Sequence, residues 1–390
     1  MSRLLSFALF FTVMLTVMGA VHYYVWARLV RDLALPSVWQ RPLTGAVIAL
    51  FVLVPLSFFL RRAGIPGSVA VIWISSVWMG FLLLFLVVLA AGDATRGILY
   101  VAQRLRETPP VDPERRLVLA RLFALAVVVL TGGMSAAAVR SGLARVAIKE
   151  VSVRLRRLPR KLDGLTIVQL TDVHVGPTIG RVFIEDIVAR TNAVSPDVIA
   201  ITGDLVDGSI EELREHVAPL AKLKARYGVY FVTGNHEYYS GAPAWCAELE
   251  RLGIRVLRNE RVSIGDGEES FDLAGIDDAH AHQFGEGHGA DLARAVAGRD
   301  PSRELVLLAH QPRAVFEAMV HGVGLQLSGH THGGQIWPWK YFVRLQQPVV
   351  AGMATFGETQ VYVSSGTGYW GPPMRLGAPA EITRLTLRSA

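Results

Sequence analysis

The stretch Ser328-Gly329-His330-Thr331-His332-Gly333-Gly334 contains two histidines two positions apart, between glycines and after the mostly apolar run from Val323 to Leu327. This pattern predicts a strand that ends in a turn and directs both imidazoles into one cleft, where both could bind metal. A His-x-His pair alone is weak evidence, because many such pairs are surface or core histidines. Polar groups at the ends of four other apolar runs strengthen the metal-site interpretation.

The chain has 390 residues, of which 51% are hydrophobic, and this is too apolar for an ordinary soluble enzyme of this length. Four windows without formal charge each reach the roughly 18 residues that mark a membrane-spanning helix. These windows are Leu4–Trp26, Leu43–Leu60, Ala63–Gly92 and Leu122–Val139. The alternative is a cleaved signal peptide followed by buried core helices, but the first window is long and ends in interfacial aromatic residues.

We therefore predict a four-span transmembrane domain in residues 1–140, a basic juxtamembrane segment in 141–161 and a second domain in 162–390. Four spans leave both termini on one side of the cell (inner) membrane. Arginines flank the spans on both sides in nearly equal numbers, which gives only a slight preference for an exported second domain. The single Cys246 does not fix the compartment, because it cannot form an internal disulfide.

The net charge of +6 arises largely from arginines beside the predicted spans. In Val151–Arg156 the apolar residues alternate with polar ones, which predicts a strand with one apolar and one basic face. The basic face is either a solvated strand face or a surface that rests on anionic headgroups. Neither interpretation implies nucleic acid.

From Leu162 onward, short β-rich runs alternate with amphipathic helical stretches. The predicted strands are Thr166–Leu170, Val198–Thr202, Val229–Thr233, Phe271–Ile276 and Leu305–Leu308, and the predicted helices are Phe183–Ala193 and Ile210–Ala225. This alternation is typical of an α/β layered domain, in which the carboxyl ends of the strands form the site. Asp172, Asp204 and Asn235 follow successive strands at intervals of 32 and 31 residues, so each strand-helix unit delivers one polar group to the same sheet edge.

His310 follows the next apolar run, and the pair His330 and His332 completes the set. Carboxylate and amide oxygens mixed with imidazoles, without thiolates, suit manganese, iron or zinc. Two such ions about 3.5 to 4 Å apart can share one carboxylate and one hydroxide, which supplies a nucleophile at neutral pH and a clamp for a phosphoryl group. Asp204 is central in the set and is the natural bridging ligand.

Five blocks of this set resemble, in order and spacing, those of the calcineurin-like metallophosphoesterase superfamily. They are Asp172-Val173-His174, Gly203-Asp204, Gly234-Asn235-His236-Glu237, His310 and Gly329-His330-Thr331-His332. The resemblance covers about Leu162–Leu387. Neighbouring runs are similar to its membrane-associated bacterial phosphodiesterase-like branch, some of whose relatives act on the lipid A precursor UDP-2,3-diacylglucosamine. For this domain the resemblance implies a β-sandwich flanked by helices.

The resemblance also implies a role for each residue. The first metal ion would be held by Asp172, His174 and His332, and the second by Asn235, His310 and His330, with Asp204 bridging them. His236 would be the general acid that protonates the leaving alkoxide, and Asp207 would orient it. Asp207 could instead be a helix N-cap or a turn residue. Manganese is the first choice for the two divalent ions, with iron or zinc as alternatives.

Two further features could contact a substrate. Arg375 lies in a segment rich in proline and glycine, and it could reach a substrate phosphate or be a surface arginine. The aromatic stretch Ile336–Phe342, which contains Trp337 and Trp339, comes shortly after His332. It could enter the bilayer interface or stack on a lipid or sugar, or it could be a lid packed against the domain.

Together these features predict a membrane-anchored two-metal phosphoesterase that hydrolyses a phosphodiester or pyrophosphate bond by in-line attack of a metal-bridging hydroxide. The expected substrate is a phosphorylated small molecule or, preferably, a lipid or lipid-linked molecule, and membrane lipids are the expected partners. The alternatives are a cyclic-nucleotide phosphodiesterase or nuclease, and a non-catalytic membrane scaffold or sensor. The second domain shows no obvious basic track interleaved with aromatic residues, which argues against nucleic acid. Competent side chains at every metal position argue against a scaffold. Nothing in the sequence implies a protein partner.

Overall fold

The computed structural model describes residues 3–62, 65, 67–106, 112–267 and 269–390. By its internal contacts the chain divides into two compact units. The first comprises residues 1–140 and 371–374, and the second comprises residues 141–370 and 375–390.

Four long helices make up most of the first unit. They are α1 (Arg3–Leu29), α2 (Ser37–Arg62), α3 (Val69–Leu105) and α4 (Pro113–Gly142). Each is long and apolar enough to cross a membrane. An uninterrupted helix satisfies its backbone hydrogen bonds internally, which is what a segment surrounded by lipid requires. The four predicted apolar windows are thus confirmed as helices, although Ala63, the predicted start of the third, lies outside the described residues.

The second unit contains two six-stranded sheets. The first sheet has the order β1-β12-β2-β3-β4-β5 and the second the order β10-β11-β9-β8-β7-β6. The strands of the first sheet are β1 (Ala147–Leu155), β2 (Thr166–Leu170), β3 (Val198–Thr202), β4 (Val229–Val232), β5 (Arg255–Val256) and β12 (Glu381–Ser389). Those of the second are β6 (Glu260–Asp266), β7 (Glu269–Gly275), β8 (Leu305–Leu308), β9 (Leu325–Ser328), β10 (Gly352–Phe356) and β11 (Thr359–Val363).

The two sheets pack face to face, and alternation along the strands explains why. In β2, Ile167 packs in a core shared with Leu308 of β8 and Leu327 of β9. Its neighbour Val168 points to the opposite face and joins a second core with Ile184. Every residue of β2 is buried, as expected of a parallel strand covered on both faces. The predicted α/β sandwich flanked by helices is therefore confirmed.

Within its described residues, the second unit contains seven α-helices. They are α5 (Arg181–Ala193), α6 (Ile210–Val217), α7 (Asn235–Ser240), α8 (Ala242–Arg251), α9 (Leu292–Ala295), α10 (Val315–Val320) and α11 (Lys340–Val343). The predicted helix Ile210–Ala225 was too long, because α6 ends at Val217 and a 3₁₀ turn follows at Ala218–Lys222. Pro219 lies at the start of that turn, where it cannot donate a backbone hydrogen bond to extend the α-helix.

Residues 147–155, which the sequence assigned to the juxtamembrane segment, form the edge strand β1 of the first sheet. β1 pairs in parallel with β12 along its whole length, from Ala147 opposite Glu381 to Leu155 opposite Ser389. Val153 and Leu155 are buried between the sheets, whereas Arg154 is exposed. The predicted apolar and basic faces of this strand are therefore confirmed.

Candidate metal centre

The seven predicted metal ligands lie just beyond the carboxyl ends of strands. Asp172 and His174 follow β2, Asp204 follows β3, Asn235 follows β4, His310 follows β8, and His330 and His332 follow β9. These strands run parallel within their sheets, so their carboxyl ends lie at one edge of each sheet. Successive strand ends therefore bring the side chains together.

The first cluster consists of Asp172, His174 and His332, whose ligand atoms all lie within 4.8 Å of one another. The Nε2 atoms of His174 and His332 are 3.0 Å apart, and Nε2 of His332 is 3.4 Å from Oδ1 of Asp172. All three residues are buried. Two imidazole nitrogens and a carboxylate oxygen that converge in this way form a potential metal site.

The second cluster consists of Asp204, His310 and His330, with the same mutual proximity. Nε2 of His310 lies 3.1 Å from Oδ2 of Asp204 and 3.2 Å from Nδ1 of His330. The other ring nitrogen of His310 donates a hydrogen bond to the carbonyl of Thr202 at 2.8 Å. This bond anchors the ring so that Nε2 faces Asp204, where it can bind a metal ion once it has lost its proton.

Asp204 lies between the two clusters. Its Oδ2 is 3.1 Å from Nε2 of His310 and 3.9 Å from Nε2 of His174, which belongs to the first cluster. Burial would raise the pKa of Asp204, but the positive charge of His310 and its hydrogen bond hold that pKa well below the usual value. Asp204 is therefore an ionised carboxylate within reach of both potential metal positions.

Asn235 provides a direct test of whether the site suits a metal ion. Its side chain is 8% exposed, and its Oδ1 has no hydrogen-bond partner among the residues that the structure describes. A buried oxygen without a partner is costly, whereas a divalent cation would satisfy it. The donor set of oxygens and imidazoles without thiolates fits manganese, iron or zinc. The residues present thus fit divalent metal ions.

The backbone at this site is strained. Only nine described residues other than glycine have positive φ, and five of them are predicted ligands. These five are Asp172 (51°), His174 (55°), Asp204 (51°), His330 (70°) and His332 (51°). Left-handed backbone costs of order 1 kcal/mol or more for each such residue and persists where the surrounding structure imposes it. The fold maintains this strain at the positions that orient the potential ligands.

Two motif glycines make room for the carboxylates. A Cβ atom at Gly234 would collide with the Asp204 carboxylate, and one at Gly329 would collide with that of Asp172. Both glycines belong to the motifs that resemble the phosphoesterase superfamily. The structure supplies their physical reason, which is the close approach of a neighbouring backbone to each carboxylate.

Each cluster contains one histidine whose pKa is raised and one whose pKa is lowered. Burial lowers the pKa of His174, but the carboxylates of Asp207, Asp204 and Asp172 outweigh burial and raise that pKa to about 9. Burial and the positive charge of His310 lower the pKa of His330 to about 3. Without metal, His174 therefore carries a proton at neutral pH and His330 is neutral.

Asp207 contacts both a predicted ligand and the predicted general acid. Its Oδ1 accepts hydrogen bonds from Nδ1 of His236 at 2.5 Å and from Nδ1 of His174 at 3.1 Å. Burial would raise the pKa of Asp207, but these two histidines lower it well below the usual value. The carboxylate fixes the tautomer of each ring. A helix N-cap, the alternative role for Asp207, would not involve these contacts with histidines.

Glu237, the last residue of the motif that contains Asn235 and His236, is fully buried. Its Oε2 accepts hydrogen bonds from the backbone N–H of Gly234 at 2.6 Å and of Asp204 at 2.9 Å. Its Oε1 accepts one from the N–H of Leu205 at 2.7 Å. Glu237 therefore holds the turn that carries Asp204 against the turn that carries Asn235.

Both alternatives that the sequence left open for Arg375 need correction, since its side chain is fully buried. Its Nε and Nη2 donate to the carbonyl of Gly368 at 2.9 and 2.5 Å, and its Nη1 donates to that of Ala378 at 2.8 Å. Because these contacts occupy most of the guanidinium, Arg375 is neither a surface residue nor free to bind a substrate phosphate. It holds together the loops that follow β11 and lie behind His332.

Trp337 and Trp339 are 39% and 50% exposed, whereas Ile336 before them is buried, so the aromatic stretch after His332 is packed against the domain only in part. Two other exposed aromatic residues lie closer to the predicted general acid. The rings of Tyr239 and Trp370 are centred 5.3 and 5.6 Å from that of His236. Tyr239 could have been found from its position three residues after His236, whereas nothing local in the sequence connects Trp370 with the site.

Comparisons with known proteins identify the family. A family model described as calcineurin-like phosphoesterase matches residues 165–334. A Danio rerio transmembrane protein with metallophosphoesterase domain is 35% identical over 383 residues, which cover 94% of this chain and 86% of that protein. A Bos taurus protein of the same description is 44% identical over 296 residues, and the match covers 73% of this chain and 66% of the bovine protein. An uncharacterized metallophosphoesterase of Campylobacter jejuni is 30% identical, and the match covers 98% of this chain and 99% of that protein.

Proposed function

The chain belongs to the calcineurin-like phosphoesterase family, and on that basis we propose that this membrane-associated metallophosphoesterase hydrolyses a phosphodiester or pyrophosphate bond in a lipid or lipid-linked substrate. One observation carries the proposal. The buried carboxylate of Asp204 lies within 3.1 Å of His310 in one cluster and 3.9 Å of His174 in the other. A shared carboxylate between two sets of ligands is what a two-metal hydrolytic site requires.

Two divalent ions would be held by the residues already described, with Asp204 shared between them. The first ion would bind Asp172, His174 and His332, and the second Asn235, His310 and His330. When bound, such ions activate water and neutralise the charge that develops on a phosphoryl group. Manganese is our first choice. The protein contributes a strained, buried frame that fixes the ligands before the substrate arrives.

His236 supplies the proton for the leaving group. Its Nδ1 is engaged by Asp207, so its Nε2 is the atom that can donate a proton to the departing alkoxide oxygen. The side chain of His236 is 16% exposed, which lets Nε2 reach a substrate while the ring stays anchored. Asp207 acts as a positioning residue, because it holds the ring in one tautomer without contacting the substrate.

The exposed aromatic residues favour an amphiphilic substrate. Tyr239 and Trp370 are 63% and 54% exposed beside the proton donor, so the leaving group could stack on either ring. Further along the chain, Trp339, Tyr341 and Phe342 are each at least half exposed on and next to α11. Aromatic side chains of this kind are enriched at membrane interfaces. The similarity to enzymes that act on UDP-2,3-diacylglucosamine, suggested by the sequence, stays a prediction.

The proposed function is tested with full-length protein in detergent, manganese and bis-p-nitrophenyl phosphate. We expect metal-dependent hydrolysis that a chelator abolishes and added manganese restores. Asp204→Asn should lower the rate roughly 100-fold or more, because several kcal/mol of charge stabilisation is lost. Asp266→Asn, which changes an exposed aspartate at the end of β6, is the matched control and should keep the rate. Equal rates for Asp204→Asn and wild type would refute a two-metal hydrolase.

A further inference from the structure

A cavity of about 990 Å³ lies between helices of the first unit, which contains the four apolar helices α1 to α4, and its residues are far in sequence from the metal centre. It is lined by residues of the end of α1 and the 3₁₀ turn after it (Arg31–Leu33), of the last turns of α3 and of the first turns of α4. Its charged lining residues are Arg28, Asp32, Asp93, Arg96, Arg104 and Arg116. Among the described lining residues, four arginines thus face two aspartates, which leaves an excess of two positive charges. Ionisable groups gathered within a membrane domain need a partner or a function.

From the length of α3, we infer that the cavity lies at the level of the lipid headgroups. The uncharged part of α3 ends at Gly92, and the helix continues to Leu105. With 37 residues and a rise of 1.5 Å per residue, α3 is about 55 Å long, whereas the hydrocarbon core is about 30 Å thick. Its last turns therefore extend beyond the hydrocarbon core, to the level at which lipid phosphates lie.

The two aspartates are already paired within the helices. Oδ2 of Asp93 accepts hydrogen bonds from the hydroxyl of Tyr24 at 2.6 Å and from Nε of Arg28 at 2.9 Å. Nη1 of Arg28 also donates to Asp32 at 3.0 Å. Arg28 therefore pairs with both aspartates. The charges of these three residues have a structural role within the helices.

The other three arginines have weaker partners. Nη1 of Arg96 is 3.8 Å from Asp93, beyond hydrogen-bond distance, and its guanidinium lies over the ring of Phe123 at 4.1 Å. Nε of Arg104 donates to the neutral hydroxyl of Tyr100 at 2.9 Å. In the described part of the chain, the Arg116 side chain forms no ion pair. The excess positive charge of the cavity therefore belongs to Arg96, Arg104 and Arg116.

We propose that this cavity binds the headgroup of an anionic phospholipid through Arg96, Arg104 and Arg116. A guanidinium presents paired N–H donors that match phosphate oxygens, and basic groups near a membrane surface attract anionic lipids. The remaining lining includes Leu117, Leu119 and Phe123, which suit the glycerol and upper acyl chains of a lipid. A free phosphate ion would leave this apolar part of the cavity unused, so the lining favours a lipid.

The test uses full-length protein purified in detergent, with retained lipids counted by native mass spectrometry. Phosphatidylglycerol and phosphatidylcholine are added separately at equal concentration, because both contain a phosphodiester but only the first has net negative charge. We expect phosphatidylglycerol to bind the wild type about tenfold or more tightly than phosphatidylcholine. Equal binding of the two lipids would overturn the proposal. Displacement of phosphatidylglycerol by excess inorganic phosphate as effectively as by more lipid would also overturn it, in favour of a free-phosphate site.

Variants locate the site. Arg104→Gln/Arg116→Gln should reduce the preference for phosphatidylglycerol to about twofold or less, since two charge-assisted contacts are lost. Arg41→Gln/Arg115→Gln removes the same charge from exposed positions outside the cavity lining and should keep the preference. An unchanged preference in the cavity variant, or an equal loss in the control, would refute the assignment to this cavity. If Arg104→Gln/Arg116→Gln does not fold, the Arg96→Gln variant takes its place. Its preference for phosphatidylglycerol over phosphatidylcholine, compared with that of the wild type, then tests the assignment to this cavity.

Discussion

Asp207 and His236 are joined by a hydrogen bond of 2.5 Å between Oδ1 of the carboxylate and Nδ1 of the ring. The same Oδ1 also lies 3.1 Å from Nδ1 of His174. One carboxylate oxygen therefore orients both a predicted metal ligand and the predicted proton donor. We therefore predict that proton donation is coupled to the assembly of the metal centre, because a shift of Asp207 would turn both rings.

Asp207→Asn tests this coupling. The amide keeps the shape of the side chain but does not stabilise the same tautomers, so we expect turnover of an alkyl phosphodiester to fall about 100-fold. The loss should be smaller for bis-p-nitrophenyl phosphate, since p-nitrophenolate leaves without needing a proton. The two substrates are compared by their kcat values at saturating manganese. Equal losses for both would exclude a role for Asp207 in leaving-group protonation.

Metal affinity should depend on pH through His174. Its pKa in the metal-free site is raised to about 9 by nearby carboxylates, and a ligand must be deprotonated, so metal binding below that pH releases a proton. The apparent manganese affinity should therefore rise at least about tenfold per pH unit between pH 7 and 9. Titration calorimetry at several pH values measures this, and a flat profile would contradict it.

The same shift predicts how the stability of the metal-free protein depends on pH. A folded-state pKa of about 9, above the ordinary value of 6.5, stabilises the fold fully below pH 6.5, and this contribution is lost as the pH rises through about 9. The metal-free protein should therefore unfold at a lower temperature at pH 9 than at pH 6.5. Thermal unfolding of chelator-treated protein checks the sign. The manganese-loaded protein serves as the comparison, since its His174 carries no such proton.

Glu237→Gln should weaken metal binding without touching a metal ligand. The amide nitrogen cannot accept the backbone hydrogen bonds that one carboxylate oxygen now receives, so the turn that carries Asp204 should shift. We expect manganese affinity to fall about 10- to 100-fold. Glu248→Gln is the matched control, because Glu248 is also buried but pairs with Arg251. If both variants bind manganese like the wild type, Glu237 is not a positioning residue.

Arg375→Ala should destabilise the second unit. The change leaves the buried carbonyls of Gly368 and Ala378 without their donor and creates a cavity, at a cost of about 3 kcal/mol or more. At about 2 to 4 °C per kcal/mol for a unit of this size, the midpoint of thermal unfolding should fall by about 6 to 12 °C. Arg344→Ala, at an exposed position, should leave it unchanged. A drop of less than about 2 °C for Arg375→Ala would contradict the structural role.

Trp339→Ala/Phe342→Ala tests whether the substrate is drawn from a bilayer. Both side chains are at least half exposed, so their loss should not disturb the core. We expect hydrolysis of a phospholipid in vesicles to fall at least about fivefold more than hydrolysis of bis-p-nitrophenyl phosphate, because interfacial contact is lost. Phe316→Ala removes a comparably exposed aromatic ring from α10 and should not change the ratio. An unchanged ratio in the double variant would favour a soluble substrate.

The sequence alone predicted the structural elements whose physical cause lies in a local pattern of residues. A charge-free window of about 18 residues already satisfies the length of a membrane span, and the helices α1 to α4 follow from it. The strands β2, β3 and β8 have the predicted bounds because short apolar runs between turn residues have few other structures available. The repeated position of Asp172, Asp204 and Asn235 after such strands predicted that they share one edge.

Only the tertiary structure decided the contacts that join distant parts of the chain. Trp370 lies against His236 across 134 positions of sequence, and Arg375 is buried behind His332, where a segment rich in proline and glycine suggested a surface. Likewise, β1 became a sheet edge because β12, more than 220 residues later, offers a parallel partner along its whole length. The spacing of hydrophobic residues and the positions at which strands end are local properties that can be read from a sequence. Which loops meet above a sheet depends instead on how both sheets pack, and no short stretch of residues encodes that.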